Sequence, residues 1–356
     1  MKKLIAAAVI ILTISGLLSI PSCQCNSTPK YDSTKVANWD DGMIKKLTLA
    51  LADKPTDPEL YYQRAQQYYS LNNLKASATD LQSAIHIDST NTKYYFTLAD
   101  VFLASGTVDG CLLTLKHILL IDPENKDAKM KMAKAYIYIP DFAQALALTN
   151  EIIKADGNNA EAYFLQGIAL KGGGDTTKAI QSFMMAVQKK PDFYDAYMQL
   201  GLLHSEKHNS IAPQYFDNAI QIDSSVNEAW YAKGKFYHDL GDNALQQNQT
   251  AKADQQYEQA KKIYKHLIVK DPQYQDAYFN LGTIYYNQDS LDMALRMFNL
   301  AIQMAPTYAE AYYGRGLVHE VNGETDEAAS DFRQALNLQP DYEKAQKELD
   351  KISVVN

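Results

Sequence analysis

The chain has 356 residues, and its 34 lysines and arginines against 42 aspartates and glutamates give a formal net charge of −8. An acidic balance of this kind argues against nucleic acid as a partner, because phosphate backbones are bound through clustered basic side chains. The 3 cysteines do not suggest a disulfide framework, since Cys23 belongs to an N-terminal processing pattern and Cys111 occupies a helix-packing place.

The first segment of the chain, residues 1–22, has the composition of a secretory signal peptide. Lys2 and Lys3 precede an apolar run over residues 4–18. This run is shorter than the roughly 20 residues that a membrane-spanning helix needs. A basic start, a short apolar stretch and a small residue before the break are typical of a cleaved export signal.

The end of this segment, Ile-Pro-Ser-Cys at residues 20–23, resembles the cleavage box of a bacterial lipoprotein. That resemblance implies removal of residues 1–22, lipid attachment at Cys23 and a place in the cell envelope. Gln24 stands where some lipoproteins carry the aspartate that retains them at the inner membrane, so we expect an outer-membrane protein facing the periplasm. The alternative is an ordinary secreted protein in which Cys23 and Cys25 are incidental.

Two short regions separate the anchor from the rest of the chain. Residues 23–38 are polar and lack apolar periodicity, so they are expected to form the lipid anchor and a flexible tether. Residues 39–57 place Ile44, Leu47 and Leu51 on one helical face, which predicts an N-terminal capping helix.

A 34-residue window recurs eight times over residues 58–340. The windows begin at Pro58, Thr92, Lys126, Ala160, Tyr194, Asn227, Gln275 and Ala309. Their eighth places are small: Ala65, Ala99, Ala133, Gly167, Gly201, Gly234, Gly282 and Gly316. Their fourth places are tyrosine or tryptophan, except at Lys129. Apolar places at helical spacing, in two stretches separated by a turn, predict a pair of antiparallel helices in each window.

This pattern resembles the tetratricopeptide repeat. The resemblance implies an all-α fold, a right-handed α-solenoid of about eight helix pairs in which stacked neighbours share one core. The half-repeat at residues 39–57 would cap one end. A helix at residues 341–356, on which Tyr342, Ala345, Leu349 and Ile352 form one apolar stripe, would cap the other. Such arrays are binding scaffolds, so the fold alone does not specify a partner.

The sixth repeat, residues 227–272, is longer than its neighbours by 14 residues. Seven extra residues in each helix would add about two turns to both and keep the packing faces in register. This interpretation places the tip of the hairpin at Asn248, Gln249 and Thr250. A second interpretation keeps the turn at Gly241 and Asp242 and puts all the extra length in the second helix.

In the resembled family, the concave face is lined by the first helix of each pair at places two, five, nine and twelve. All fifth places here are large and apolar or aromatic, and two ninth places extend them. The predicted partner-binding residues are Tyr62, Phe96, Met130, Phe164, Ile168, Met198, Leu202, Tyr231, Phe279 and Tyr313. Phe164, Ile168, Met198 and Leu202 are expected to form one apolar patch for a peptide or helix.

Second places are acidic in all repeats but the second: Glu59, Asp127, Glu161, Asp195, Glu228, Asp276 and Glu310. Carboxylates are favoured at helix amino ends by the helix dipole alone. They also allow a basic ligand, so both explanations stand at this point.

Enzymatic motifs are weak in this chain. His204 and His208 are four residues apart, but a zinc protease motif would place glutamate directly after the first histidine, where Ser205 stands. A core histidine followed by a turn histidine is the better interpretation. We therefore predict no catalytic residues, no metal and no cofactor.

Together these features predict a non-enzymatic, lipid-anchored scaffold that binds protein partners of the cell envelope in its concave groove. The alternative from another class is a glycan-binding or polysaccharide-export accessory lipoprotein, for which the 25 tyrosines could be evidence. An enzyme ranks third. The sequence does not identify the partner, the pathway or the oligomeric state.

Overall fold

The computed structural model describes residues 41–355. This part of the chain is entirely helical, with 18 α-helices and no strand, which confirms the all-α prediction. The predicted signal peptide, the lipid attachment site Cys23 and the tether lie outside the described residues. The chain divides into two compact units, one ending at Gly174 and the other beginning at Asp175.

The first unit contains a capping helix followed by alternating first and second helices of the repeats, here termed A and B helices. Its helices are α1 (Asp41–Asp53), α2 (Pro58–Ser70), α3 (Leu74–Ile87), α4 (Thr92–Ala104), α5 (Val108–Ile121), α6 (Lys126–Tyr138), α7 (Phe142–Ala155) and α8 (Ala160–Gly172). The even-numbered helices are A helices. Each begins at the first residue of a predicted window.

The second unit begins with a B helix and ends with the C-terminal helix. Its helices are α9 (Thr176–Lys189), α10 (Tyr194–Ser205), α11 (Ala212–Ile222), α12 (Asn227–Gln246), α13 (Thr250–Lys270), α14 (Gln275–Asn287), α15 (Leu291–Met304), α16 (Ala309–Val321), α17 (Thr325–Leu338) and α18 (Glu343–Val355). The A helices α10, α12, α14 and α16 again begin at the predicted windows.

Aromatic rings of the B helices fill the space that glycine leaves at place eight of the A helices. A Cβ atom added at Gly282 would lie 2.7 Å from the ring of Phe298, and one added at Gly316 would lie 2.7 Å from Phe332. In repeats one to three, place eight is alanine, and Ala65 shares its core cluster with the smaller Leu81. In these pairs, a smaller residue at place eight of the A helix is matched by a larger side chain on the B helix, as close packing requires.

A left-handed residue follows several of the described A helices and closes the turn to the B helix. Gly106 has a φ of 75°, and the next amide, of Thr107, donates to the carbonyl of Phe102 at 2.8 Å. In repeat six, Asn248 has a φ of 59°, and the amide of Gln249 donates to the carbonyl of Ala244 at 2.9 Å. This is the Schellman arrangement, which satisfies carbonyls that the helix end leaves without a partner.

The long sixth repeat is an extended hairpin, as the first interpretation predicted. Helices α12 and α13 have 20 and 21 residues, whereas α14 and α15 have 13 and 14. Gly241 lies inside α12, so the alternative turn at Gly241 and Asp242 is wrong. The ring of Tyr257 packs against Gly241, where an added Cβ would lie 2.4 Å away, and this close approach extends the antiparallel pairing into the added turns.

The part of this hairpin next to its tip is tied to repeat seven. The Asn287 side-chain amide donates to the Asp242 carboxylate at 3.1 Å, and the Gln288 amide donates to Asp254 at 2.6 Å. The tip residues, Gln247 to Gln249, are exposed. The added turns therefore pack as part of the second unit, while the tip faces solvent.

Candidate functional site

The candidate site is the A-helix face, defined as places two, five, nine and twelve of the A helices. Of the ten predicted binding residues, Tyr62, Met130 and Met198 are buried, with 6%, 8% and 4% of their surface exposed. The others are partly exposed: Phe96, Phe164, Ile168, Leu202, Tyr231, Phe279 and Tyr313. Side chains in the second group offer a partner more contact area than the three buried ones.

The predicted four-residue apolar patch is divided between the two units. Phe164 and Ile168 lie on α8 in the first unit, and Met198 and Leu202 lie on α10 in the second. The patch as a whole therefore stays a prediction.

In the first unit, a lysine of the chain itself covers the A-helix face of repeat one. The Lys93 ammonium lies 4.0 Å from the centre of the Tyr62 ring and 3.5 Å from the Glu59 carboxylate. Repeat two has a similar arrangement, in which Lys131 lies 5.9 Å from the centre of the Phe96 ring and pairs with Asp100. Both place-five rings thus already contact a cation.

In the second unit, the place-five rings pack at a tilt against tyrosines that directly precede the next A helix or, after repeat eight, α18. Ring centres are 5.7 Å apart for Tyr231 and Tyr274, 5.2 Å for Phe279 and Tyr308, and 5.1 Å for Tyr313 and Tyr342. The place-two carboxylate of the same repeat is close enough to the second tyrosine of each pair that, after burial, its negative charge contributes to the raised pKa of that tyrosine. We term the three groups acid-aromatic modules: Glu228 with Tyr231 and Tyr274, Asp276 with Phe279 and Tyr308, and Glu310 with Tyr313 and Tyr342.

The carboxylates affect the pKa values of the groups around them. Asp276 accepts a hydrogen bond from the Tyr308 hydroxyl at 2.9 Å, and burial together with the negative charge of Asp276 raises the pKa of Tyr308. Burial, followed by the charge of Glu310, raises the pKa of Tyr342. Desolvation by the surrounding protein and the nearby Asp195 raise the pKa of Glu228. The A-helix face of repeats six to eight is therefore aromatic and negatively charged.

Sequence reasoning missed Tyr274, Tyr308 and Tyr342 because they precede the helices rather than lie on them. Their positions in the sequence were nevertheless informative. Tyr274 and Tyr308 directly precede a window start, and Tyr342 stands 34 residues after Tyr308. Lys93 was missed as well. Its role depends on the reach of one side chain to the neighbouring repeat, which repeat spacing does not give.

Place twelve of repeat six is His238, which is buried instead of facing a partner. Its surface is 3% exposed, and neither ring nitrogen has a hydrogen-bond partner. The rings of Tyr257 and Tyr264 lie edge-on to it, at 5.9 and 6.2 Å. Asp242 is the nearest carboxylate, 3.6 Å from Nε2. Burial lowers the pKa of His238, with Asp242 acting in the opposite direction.

We expect this histidine to make the second unit sensitive to acid. Because the pKa of His238 is lowered in the folded state, the unfolded chain binds the proton more readily. The contribution to stability is therefore complete above the unfolded pKa of about 6.5 and falls below it, by at most about 1.4 kcal/mol per pH unit.

Urea unfolding of the wild type and a His238→Gln variant at pH 7.5 and pH 5.5 measures this effect. Other groups facing His238 are Lys235 and Asp239 on its own helix and Asn280 on α14. The variant should lose less stability on acidification than the wild type. Equal losses in both proteins would assign the acid sensitivity to other groups.

The histidine pair considered as a zinc site is structural. His204 stacks on Tyr215 with ring centres 5.3 Å apart, and burial followed by the charge of Lys207 lowers its pKa. His208 is exposed in the turn with a φ of 49°. Within residues 41–355, no group of three or more histidine, cysteine, aspartate or glutamate side chains could hold a metal ion. No helix in the same range is long and apolar enough to cross a membrane.

The sequence of the chain matches models of a known family of helical repeats. Two sequence models described as tetratricopeptide repeat match the chain, one over residues 309–342 and the other over residues 130–204 and 239–309. A crystal structure of a tetratricopeptide repeat protein from Parabacteroides merdae superposes with a TM-score of 0.52. It shares 16% sequence identity and covers 74% of this chain and 98% of that one. This likeness shows the fold.

Curated relatives share only part of their length with the chain. A probable UDP-N-acetylglucosamine–peptide N-acetylglucosaminyltransferase SPINDLY from Hordeum vulgare is 28% identical over 180 residues, which is 50% of this chain and 18% of that protein. Tetratricopeptide repeat protein 8 from Caenorhabditis elegans is 23% identical over 263 residues, 70% of this chain and 47% of that protein. The chain thus spans less than half the length of either relative.

Proposed function

Because the chain is a tetratricopeptide repeat protein, and such proteins generally mediate protein–protein interactions, we propose that it is a non-enzymatic adaptor. It binds peptides or helices of partner proteins on its A-helix faces. The observation that carries this proposal is the row of partly exposed apolar and aromatic side chains at place five, such as Phe164 and Phe279. Apolar surface left open in this way favours contact with an amphipathic segment.

The absence of catalysis is part of the proposal. The tetratricopeptide repeat fold is generally an interaction scaffold. The barley relative is named as a transferase, but the match covers 18% of that protein. Its activity is therefore not transferred to this chain.

The location of the adaptor is also proposed. The pattern that ends at Cys23 supports lipid attachment in a bacterial cell envelope, with the helical units facing the periplasm from the outer membrane. In that position the partners would be envelope proteins. A polar segment between the anchor and the helices, over residues 26–37, would let the units reorient near the membrane.

A capture experiment tests partner binding. The full-length protein serves as bait in an envelope extract, beside a variant carrying Phe164→Ser, Leu202→Ser and Phe279→Ser. Met198 is left intact because it is 4% exposed and a serine there would damage the core. We expect the variant to capture at least about tenfold less of the partner than the wild type, since a few apolar anchors supply most of the binding energy.

The matched control changes exposed apolar residues of the B helices. Leu113, Leu120 and Met184 are 61%, 78% and 49% exposed, and their serine variant should capture as the wild type does. Circular dichroism confirms folding of all baits. Equal capture by the A-face variant would refute binding on these faces.

A second prediction concerns the anchor. Changing Cys23→Ser should release the protein from the membrane fraction and abolish incorporation of a labelled fatty acid, because the acylated cysteine supplies the lipid. The Cys25→Ser variant is the matched control and should behave as the wild type does. Membrane association that survives in the Cys23→Ser variant would contradict lipid attachment at this residue.

A further inference from the structure

We propose that the acid-aromatic modules of repeats six to eight bind a basic segment of the partner, one whose lysine or arginine side chains occur at about every third residue. This inference rests on the proposed function and specifies the chemistry of the partner at that site. Each module offers two aromatic rings in contact and a carboxylate, which together attract a cation through the rings and through charge.

Repeat one shows how such a module holds a cation. Its place-two carboxylate is Glu59 and its place-five ring is Tyr62, the same two places as in repeats six to eight. The Lys93 ammonium occupies this position, 4.0 Å from the ring centre and 3.5 Å from the carboxylate. The chain therefore contains its own example of an ammonium group held by these two places.

For the modules of repeats six and seven, the equivalent position lacks an internal lysine. Lys93 stands at place two of its repeat, and in repeats seven and eight that place holds Asp276 and Glu310. In α18 the same place holds Lys344, which makes no ion pair among the described contacts and is exposed. The modules of repeats six and seven are consequently open to a cation supplied by another molecule, and at the third module Lys344 forms no ion pair with Glu310 in the described part of the chain.

Nearby cations do not neutralise the modules. Lys235 at place nine of repeat six is paired with Asp239, and Lys351 on α18 is paired with Glu348. Glu228, Asp276 and Glu310 have no ion pair within the described part of the chain. In the first unit, by contrast, Glu59 and Glu161 are paired with Lys93 and Lys134. Charge complementarity therefore selects a basic occupant rather than an acidic or purely apolar one.

The spacing of the modules gives the spacing of the basic residues. Packed helices lie about 8–10 Å apart, so equivalent modules in successive repeats are expected to be separated by about that distance. A polyproline II segment rises about 3.1 Å per residue and presents every third side chain on one face. Basic residues three apart would thus meet successive modules.

Fluorescence anisotropy with defined peptides tests this proposal. The probe is a fluorescein-labelled peptide of four Lys-Pro-Thr triplets, titrated with the full-length protein. Two comparison peptides replace lysine by glutamate or place all four lysines together. We expect the spaced lysine peptide to bind at least about tenfold more tightly than the glutamate peptide, and more tightly than the clustered one. Its affinity should fall as salt is raised.

Charge variants of the protein locate the site. The Glu228→Gln, Asp276→Asn, Glu310→Gln triple variant should weaken binding of the spaced lysine peptide by about tenfold or more. The control variant Glu59→Gln, Asp127→Asn, Glu161→Gln removes the same charge from the same places of the first unit and should bind normally. Thermal melts monitored by circular dichroism establish that both are folded.

Three results would overturn the inference: no binding of the lysine peptide at millimolar protein, equal binding of the glutamate peptide, or unchanged binding by the second-unit triple variant. A different result would refute the proposed function, namely equal capture of the partner by the wild type and the A-face serine variant. If the partner captured from extract is lost by the A-face serine variant but kept by the charge variant, the adaptor role stands and the basic-segment inference is wrong.

Discussion

Replacing Phe298 by alanine is expected to lower the free energy of unfolding of the second unit by about 4 kcal/mol. The ring is 2% exposed and fills the space left by two glycines. An added Cβ would lie 2.7 Å from this ring at Gly282 and 2.6 Å at Gly314. One side chain therefore packs the A helices of repeats seven and eight against the same B helix, and its removal leaves a cavity at both contacts.

Urea unfolding followed by circular dichroism measures the loss, and hydrogen exchange locates it in α14 to α16. Met184→Ala is the matched control, because Met184 also lies on a B helix but is 49% exposed. The control should change stability by less than about 0.5 kcal/mol. A loss below about 1 kcal/mol for Phe298→Ala would contradict the packing described here.

Changing Arg315 to methionine is expected to cost about 2 kcal/mol, because it leaves the Asp331 carboxylate without its main partner. The guanidinium binds both oxygens of this carboxylate, at 2.6 and 2.8 Å, and also donates to Asn299 at 2.7 Å. The Asp331 side chain is 8% exposed, so water replaces little of the lost interaction. Arg315 thereby joins repeat eight to the B helix of repeat seven.

A double variant separates charge from packing. If the cost comes from an uncompensated buried carboxylate, combining Arg315→Met with Asp331→Leu should recover most of the stability, since an apolar pair of similar volume is often as stable as a buried ion pair. Thermal melts of the two single variants and the double variant make this comparison. A double variant that is less stable than Arg315→Met would show that the ion pair itself is not what Arg315 contributes.

The helix boundaries were predictable because the sequence pattern that determines them is present within each repeat. Small residues at place eight and apolar residues at helical spacing recur so regularly that every A helix begins where a window was placed. The fit of Gly282 to Phe298 and of Ala65 to Leu81 is also present in the sequence. It is recognised only when the residue at place eight of the A helix is compared with the B-helix residue that packs against it, because the fit depends on both residues.

The candidate site was less predictable from the same pattern. Place numbers locate the A-helix face, but they do not show that Lys93 reaches across from the next repeat to lie over the Tyr62 ring. Likewise, His238 is at a place expected to face a partner, and the rings of Tyr257 and Tyr264 lie against it. Burial at these positions depends on the particular side chains that pack there. A repeat pattern describes only what the repeats have in common, so it does not specify these contacts.

Site-specific photo-cross-linking tests the central claim, partner binding on the A-helix faces, most directly. A benzophenone amino acid replaces Phe279 on the A-helix face in one protein and Met184 on a B helix in another. The account predicts that illumination in cells yields a defined adduct from position 279, identifiable by mass spectrometry, and none from position 184. Adducts from position 184 alone would contradict it, because the partner would then be bound through the B helices.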